Sequence, residues 1–247
     1  FSLNGAFVCM GALSLVGFVL SLVFLPPTAD VRVVKKGRAP LGWWQILSDR
    51  TIGGVFLFRL AYTACIGIIW GVLAVFADME FSVSASGIGI LVMLGVLVSG
   101  VVQVPMGWLA DRLNRKSMII LGGLVVTGAV YTFEHANGFQ DMFWASVVFG
   151  IGGGIAMPAL MAAAVLQGSR SEAMGSVMAL LTVAHSLGML VGSFMAGVMM
   201  DWFQLRQAFV LGALLMATGT ALFTACTWRT DLSRGAVPAA PPQIPEG

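Results

Sequence analysis

The sequence predicts an all-α integral membrane protein with about seven transmembrane helices, and three observations predict it. Apolar residues make up 58% of the 247 positions and charged residues only 10%, where a soluble domain carries about a quarter charged. The apolar residues gather into runs long enough to cross a hydrocarbon layer about 30 Å thick as helices. The charges fall almost wholly between those runs, with the basic ones in alternate connections, as a chain woven through a membrane requires.

Residues 1–25 form the first span, which Pro26-Pro27 ends because proline cannot continue a helix. Residues 26–50 form a polar linker with Arg32, Lys35, Lys36, Arg38 and Arg50, broken by Pro40 and Gly42; Trp43 and Trp44 suit a short segment lying in the headgroup interface. The second span is 52–76, followed by a loop, 77–86, that holds Asp78 and Glu80 without Lys or Arg. The third is 87–109 and the fourth 117–133, joined by so few residues that they form an antiparallel hairpin. The connection 134–141 is acidic again and leads into the fifth span, 142–166, which carries Gly150, Gly152, Gly153, Gly154 and then Pro158. A loop with Arg170 precedes the sixth span, 173–200; Ser169 and Glu172 have the spacing of a capping box at its amino end. A turn at 201–206 precedes the seventh, 207–228, and the Ala- and Pro-rich tail 229–247 has no apolar periodicity, the mark of disorder. The linker, the turn 107–116, the Arg170 loop and the tail hold nearly all the basic residues, so the positive-inside rule makes linker and tail cytoplasmic.

The most specific stretch is Gly107-Trp108-Leu109-Ala110-Asp111-Arg112-Leu113-Asn114-Arg115-Lys116. It resembles the signature loop of the major facilitator superfamily, G-x-L-A-D-R-x-G-R-K, with Asn114 where the pattern has Gly; Asn is among the few residues that reach the left-handed region a Gly supplies there. The sixth span, with Gly188, Gly192, Ser193, Gly197 and Asp201, is similar to that family's eleventh helix, Ser193 standing where the family often has Pro. The resemblance implies that 1–25 is the last helix of a first half, 26–50 a cytoplasmic linker, 51–228 the second six-helix bundle of a major-facilitator-type fold and 229–247 a cytoplasmic tail. The first residue is Phe1, which fits a fragment lacking the amino-terminal half of the same transporter. The implied activity is secondary active transport of a small organic solute by alternating access, with proton-coupled efflux as one form, in the plasma or inner membrane. The implied role of Gly107, Asp111, Arg112, Arg115 and Lys116 is a conformational latch, Asp111 facing a neighbouring helix end with Arg112 and Arg115 as its partners.

Two polar stripes carry the candidate substrate contacts. Arg59, Tyr62, Thr63, Ile66 and Trp70 fall on one face of the second span, and Thr182, His185, Ser186, Met189 and Ser193 on one face of the sixth. Arg59 is a cation set well inside a span, costing at least about 2.5 kcal/mol unless it snorkels or finds a partner; it either reaches back to the headgroups or binds an anionic group or gate. His185 is either a proton or substrate contact or a hydrogen-bonded structural residue, and Gln103 either a cavity group or a bond across a helix interface. Gly150 and Gly154 let helix backbones approach, and Pro158 provides a kink.

Other classes fit less well. A net charge of +2 with scattered basic residues implies no nucleic-acid partner. Cys9, Cys65 and Cys226 lie inside apolar runs and suggest no disulfide framework. The glycine run lacks the Lys and Ser or Thr of a phosphate cradle, no metal-ligand or nucleophile motif appears, and neither cofactor nor enzyme activity is expected. A seven-helix receptor is the alternative that the span count invites. No Asp or Glu lies well inside a span, so either His185 carries proton coupling, or the coupling group lies in the other half, or there is no proton coupling.

Overall fold

The computed structural model describes residues 3–24, 43–230 and 232. Pro26-Pro27, the linker cations from Arg32 to Arg38, and the tail beyond 232 lie outside the described residues. Seven of the described helices are long and apolar enough to cross a membrane. The first, α1 (Leu3–Phe24), forms a unit by itself: its side chains from Phe7 to Phe24 are exposed on every face, as suits a lipid-facing helix.

The second unit contains α2 (Trp43–Leu47), α3 (Arg50–Phe81), α4 (Ala85–Ala110), α5 (Arg115–Glu134), α6 (Phe139–Arg170), α7 (Met174–Trp202) and α8 (Leu205–Cys226). Its packing has an internal symmetry. α3 lies chiefly against α7 and α8, while α6 lies chiefly against α4 and α5. Each leading helix of one trio thus packs on the second and third helices of the other, the arrangement of a three-plus-three repeat.

Small residues permit these crossings. A methyl group at Gly150 would meet the Gly95 carbonyl of α4 at 2.8 Å, and one at Gly154 would meet Val102 at 2.6 Å. Gly152 lies instead against Val126 of α5, and Gly153 against the Tyr62 hydroxyl of α3. The glycine run therefore serves three helix contacts, where hydrocarbon supplies no hydrophobic drive and close van der Waals contact must hold helices together. α6 continues as helix through Pro158, as α4 does through Pro105.

Three local expectations are corrected. The acidic segment with Asp78 and Glu80 is not a loop: α3 runs 32 residues to Phe81, about 48 Å, and stops only where Ser82 turns left-handed (φ 50°, ψ 39°). No Pro interrupts it, its glycines Gly53, Gly54, Gly67 and Gly71 stay within the helix, and Glu80 is held by Arg206 at 2.5 Å. Ser169 and Glu172 do not form a capping box, because Ser169 lies in the last turn of α6; α7 begins after Ala173 with no side-chain cap, and Glu172 takes φ 52° in the turn. Asn114 is not left-handed but extended (φ −70°, ψ 109°): it caps α5, its side chain accepting from Lys116 N at 3.0 Å. Asn is as good a helix N-cap as any residue, and the sharp turn needs nothing more there.

Contacts at the two ends of the bundle match the expected alternation. At one end Asp49 caps α3, its carboxylate accepting from Thr51 N and Ile52 N, while its second oxygen accepts from Gln167 Nε2 of α6 at 3.0 Å. At the same end Lys116 reaches the last carbonyls of α8. At the opposite end Arg206, at the start of α8, donates to Glu80 of α3 and to the carbonyls of Glu134 (2.6 Å), the last residue of α5, and Ala136 (3.2 Å) just past it.

Candidate functional site

Two cavities open beside α3, one lined by Arg59 and the other by the stretch from Tyr62 to Leu73. The larger, about 260 Å³, is bounded by α3, α4 and α6 and lined mainly by apolar and aromatic side chains. Tyr62 and Phe149 stack in its wall, ring planes 5° apart and centroids 6.1 Å apart, and Trp70 lies about two turns further along α3, half exposed. Polar groups are few. Gln103, which lines the cavity, donates to Ser99 Oγ at 3.2 Å. Ser146 is buried, lines the same cavity and has no hydrogen-bond partner for its hydroxyl.

The smaller cavity, about 220 Å³, lies between α3, α6 and α7 and contains Arg59, His185, Thr182 and two methionines, Met161 and Met178. The Arg59 guanidinium donates to Met157 Sδ at 2.7 Å and to His185 Nδ1 at 3.3 Å, and its Nε–H is buried without a partner. Acceptance at Nδ1 puts the imidazole proton on Nε2. A thioether is a weak acceptor and an imidazole is neutral in this role, so neither offsets the guanidinium charge. The nearest acidic residues in the chain, Asp49 and Asp78, lie at the two ends of α3, each more than two helical turns away. Arg59 is about 14 Å along α3 from its first residue and His185 about 17 Å along α7, so the two meet at one depth.

The structure thus brings Arg59 to His185, and Tyr62, Ile66 and Trp70 to Gln103. Thr63 lines neither cavity: it is fully buried at the α3–α7 crossing and donates to the backbone carbonyls of Arg59 (2.9 Å) and Ala184 (3.3 Å). Met189 presents its backbone carbonyl to Gly67 of α3 at that same crossing. Ser146, Phe149 and Ser99 were not singled out from the sequence. Ser146 had a usable signal as the sole hydroxyl in 142–166, and with Phe149 and Gly153 it continues one face of α6.

In the turn between α4 and α5, Arg112 stacks over the Trp108 ring at 3.8 Å, and Asp111, largely exposed, faces Arg115 at 3.9 Å within its own turn. Arg115 is mostly buried and points to the Leu232 carbonyl at 3.5 Å. Lys116 Nζ donates to the carbonyls of Thr227 at 2.7 Å and Trp228 at 3.3 Å. The basic end of the turn therefore caps the carboxyl terminus of α8, where a cation satisfies orphan carbonyls and offsets the helix dipole. A methyl at Gly107 would meet nothing within 4 Å, so that glycine lies on an open face of α4.

Residues 55–244 match the Major Facilitator Superfamily. The chain belongs to that superfamily. Two relatives support the assignment by similarity. The chain is 24% identical to the MFS-type transporter SLC18B1 of Mus musculus over 237 residues, covering 88% of this chain and 50% of the relative. It is 26% identical to the quinolone resistance protein NorA of Staphylococcus aureus over 136 residues, 54% of this chain and 35% of the relative. The chain thus spans about half the length of the first of these relatives. Membership in the major facilitator superfamily accounts for the multi-pass, all-helical architecture and for the charged turn between α4 and α5, and it favours a transporter over an enzyme.

Proposed function

We propose that α3–α8 form one of the two six-helix bundles of a secondary transporter, which carries a small amphipathic organic anion by alternating access. The observation that carries the substrate class is the Arg59 guanidinium, set in a cavity at membrane depth with, among the described residues, a thioether and an imidazole as its partners. An isolated charge there costs several kcal/mol, and an anionic group on the solute is the partner that relieves it. The adjacent aromatic cavity, with the Tyr62–Phe149 stack and the unsatisfied Ser146 hydroxyl, suits a planar apolar body bearing one polar substituent. The name of one relative, a quinolone resistance protein, supports export of organic compounds.

The second bundle is the amino-terminal half expected from the resemblance. Its proposed contact surface comprises exposed apolar side chains of α4 and of α7, among them Val96, Val104, Leu190 and Phe194. The end of the bundle with Asp49, the turn 107–116 and Lys116 faces the cytoplasm, because it holds most of the basic residues. Asp111, largely exposed and paired within its own turn with Arg115, is placed to meet a helix end when the bundles rock, which is the latch role. With no carboxylate well inside a span, coupling uses His185, the other bundle, or the solute's own gradient.

The test is transport by the full-length protein in liposomes, comparing an aryl carboxylate with its uncharged amide, with and without a pH gradient. Arg59→Gln removes a charge-assisted hydrogen bond worth about 1.5–3 kcal/mol, so transport of the carboxylate falls about 10- to 150-fold while the amide is little changed. Equal losses for both compounds would refute the anion-binding role of Arg59.

A further inference from the structure

At the basic end of the bundle a third cavity, about 610 Å³ and open to the outside, lies between the start of α3 and the end of α8. The two helix ends are side by side: a methyl on Gly54 would come within 3.1 Å of the Cys226 side chain. Arg50 stands on one wall, Trp228 and Arg229 on the other. Lys116 joins them from α5, its Nζ 5.6 Å from the centre of the Trp228 ring.

Three features of this cavity point to a ligand of mixed chemistry. First, among the described residues no carboxylate pairs with Arg50 or Arg229. The neighbouring Asp49 is turned away, its oxygens taken by Thr51 N, Ile52 N and Gln167. Second, Trp228 is 74% exposed at this rim, the position at which tryptophans occupy the headgroup layer. Third, the α8 surface running from the rim towards the membrane interior is apolar and open, with Ala225, Leu222 and Ala221 exposed. A free anion would use only the first feature; a lipid uses all three.

We infer that this cleft is a binding site for a phospholipid of net negative headgroup, in the leaflet on the side of the charged turn. The phosphodiester lies between the Arg50 and Arg229 guanidiniums, which match phosphate oxygens with paired N–H donors. Trp228 marks the headgroup level, and one acyl chain follows Ala225 and Leu222. Basic clefts between helix ends on the inner side of a membrane protein have this affinity for anionic lipid. The site is separate from the substrate cavities and does not depend on the proposed substrate.

The test reconstitutes the full chain in nanodiscs of phosphatidylcholine with or without phosphatidylglycerol, releases it into detergent and measures retained lipid by native mass spectrometry. The wild-type chain is expected to keep phosphatidylglycerol in preference to phosphatidylcholine. Each basic side chain near an anionic surface contributes about fivefold. Arg229→Gln, which lies beyond the last turn of α8 and is exposed, should therefore lower that preference about fivefold, and the double variant with Arg50→Gln about 25-fold. Thermal unfolding in pure phosphatidylcholine nanodiscs should be the same for all three proteins, showing that the loss is not a loss of fold. Equal retention of phosphatidylglycerol by the wild-type and double-variant chains would overturn the site. Displacement of the lipid by inorganic phosphate alone would overturn the lipid assignment and leave a simple phosphate site.

Discussion

The crossing of α3 and α7 invites a test in which the same substitution on the same helix has opposite effects. A Cβ added at Gly192 would fall on the Ala64 carbonyl oxygen of α3, with the carbonyl carbon at 2.8 Å and Cα at 2.9 Å. Ordinary carbon contacts are about 3.5–4.0 Å, so α7 must retreat from α3 by roughly 0.7 Å or more. The obstacle is backbone, which has no rotamer to escape into. Overpacking of this kind costs ~1–3 kcal/mol, and a backbone obstacle puts Gly192→Ala towards the upper end. Gly197, less than two turns further along α7, has nothing within 4 Å of an added Cβ, so Gly197→Ala gains up to ~1 kcal/mol of helix propensity and loses no contact. Both variants share the propensity gain, so the expected gap between them is the overpacking cost, ~2–3 kcal/mol or about 30- to 150-fold in the folding equilibrium. Unfolding of the chain in mixed micelles, followed by helical circular dichroism, reads that gap directly. Because His185 lies within two turns of Gly192, the same retreat lengthens the 3.3 Å contact between Arg59 and His185. Equal stability of the two variants would refute the claim that a backbone-to-backbone seam holds α7 on α3.

Two further substitutions probe the ends of the bundle. Arg206→Gln removes the donor shared by Glu80 and the carbonyls of Glu134 and Ala136; an expected loss of ~1–3 kcal/mol should exceed that of Glu80→Gln, which leaves the carbonyl bonds in place, and unfolding of both variants in the same micelles checks the order. Asp49→Ala removes the cap of α3 and the bond from Gln167, for an expected ~1 kcal/mol, while Asp49→Asn keeps most of it; amide exchange at Thr51 and Ile52 should quicken only in the alanine variant.

The spans were legible because each is a long apolar run and hydrocarbon forbids unsatisfied backbone, leaving a helix as the one form such a run can take. Their ends were less so. α3 and α6 both outrun the hydrocarbon, and what carries α3 to Phe81 is a contact from Arg206, some 126 positions later in the chain, which no local pattern reports. The same applies to the capping spacing at Ser169 and Glu172: the motif is real as a spacing, but α6 uses Ser169 before α7 begins.

The candidate site divides in the same way. Helical periodicity put Arg59, Tyr62, Ile66 and Trp70 on one stripe of α3, and His185 on a stripe of α7, because residues three and four apart share a face whatever surrounds them. Periodicity does not say which neighbour that face meets. Thr63 shares the stripe yet is consumed by the α3–α7 crossing, Tyr62 turns to Phe149 of α6, and Arg59 turns to Met157 and His185. The sequence alone thus determined the helices, their alternation and the family signature, all of which follow from local chemistry and chain order. Only the tertiary structure decided which polar faces join, that Lys116 caps α8, and where cavities remain, because those depend on how closely glycine-bearing backbones approach from distant parts of the chain.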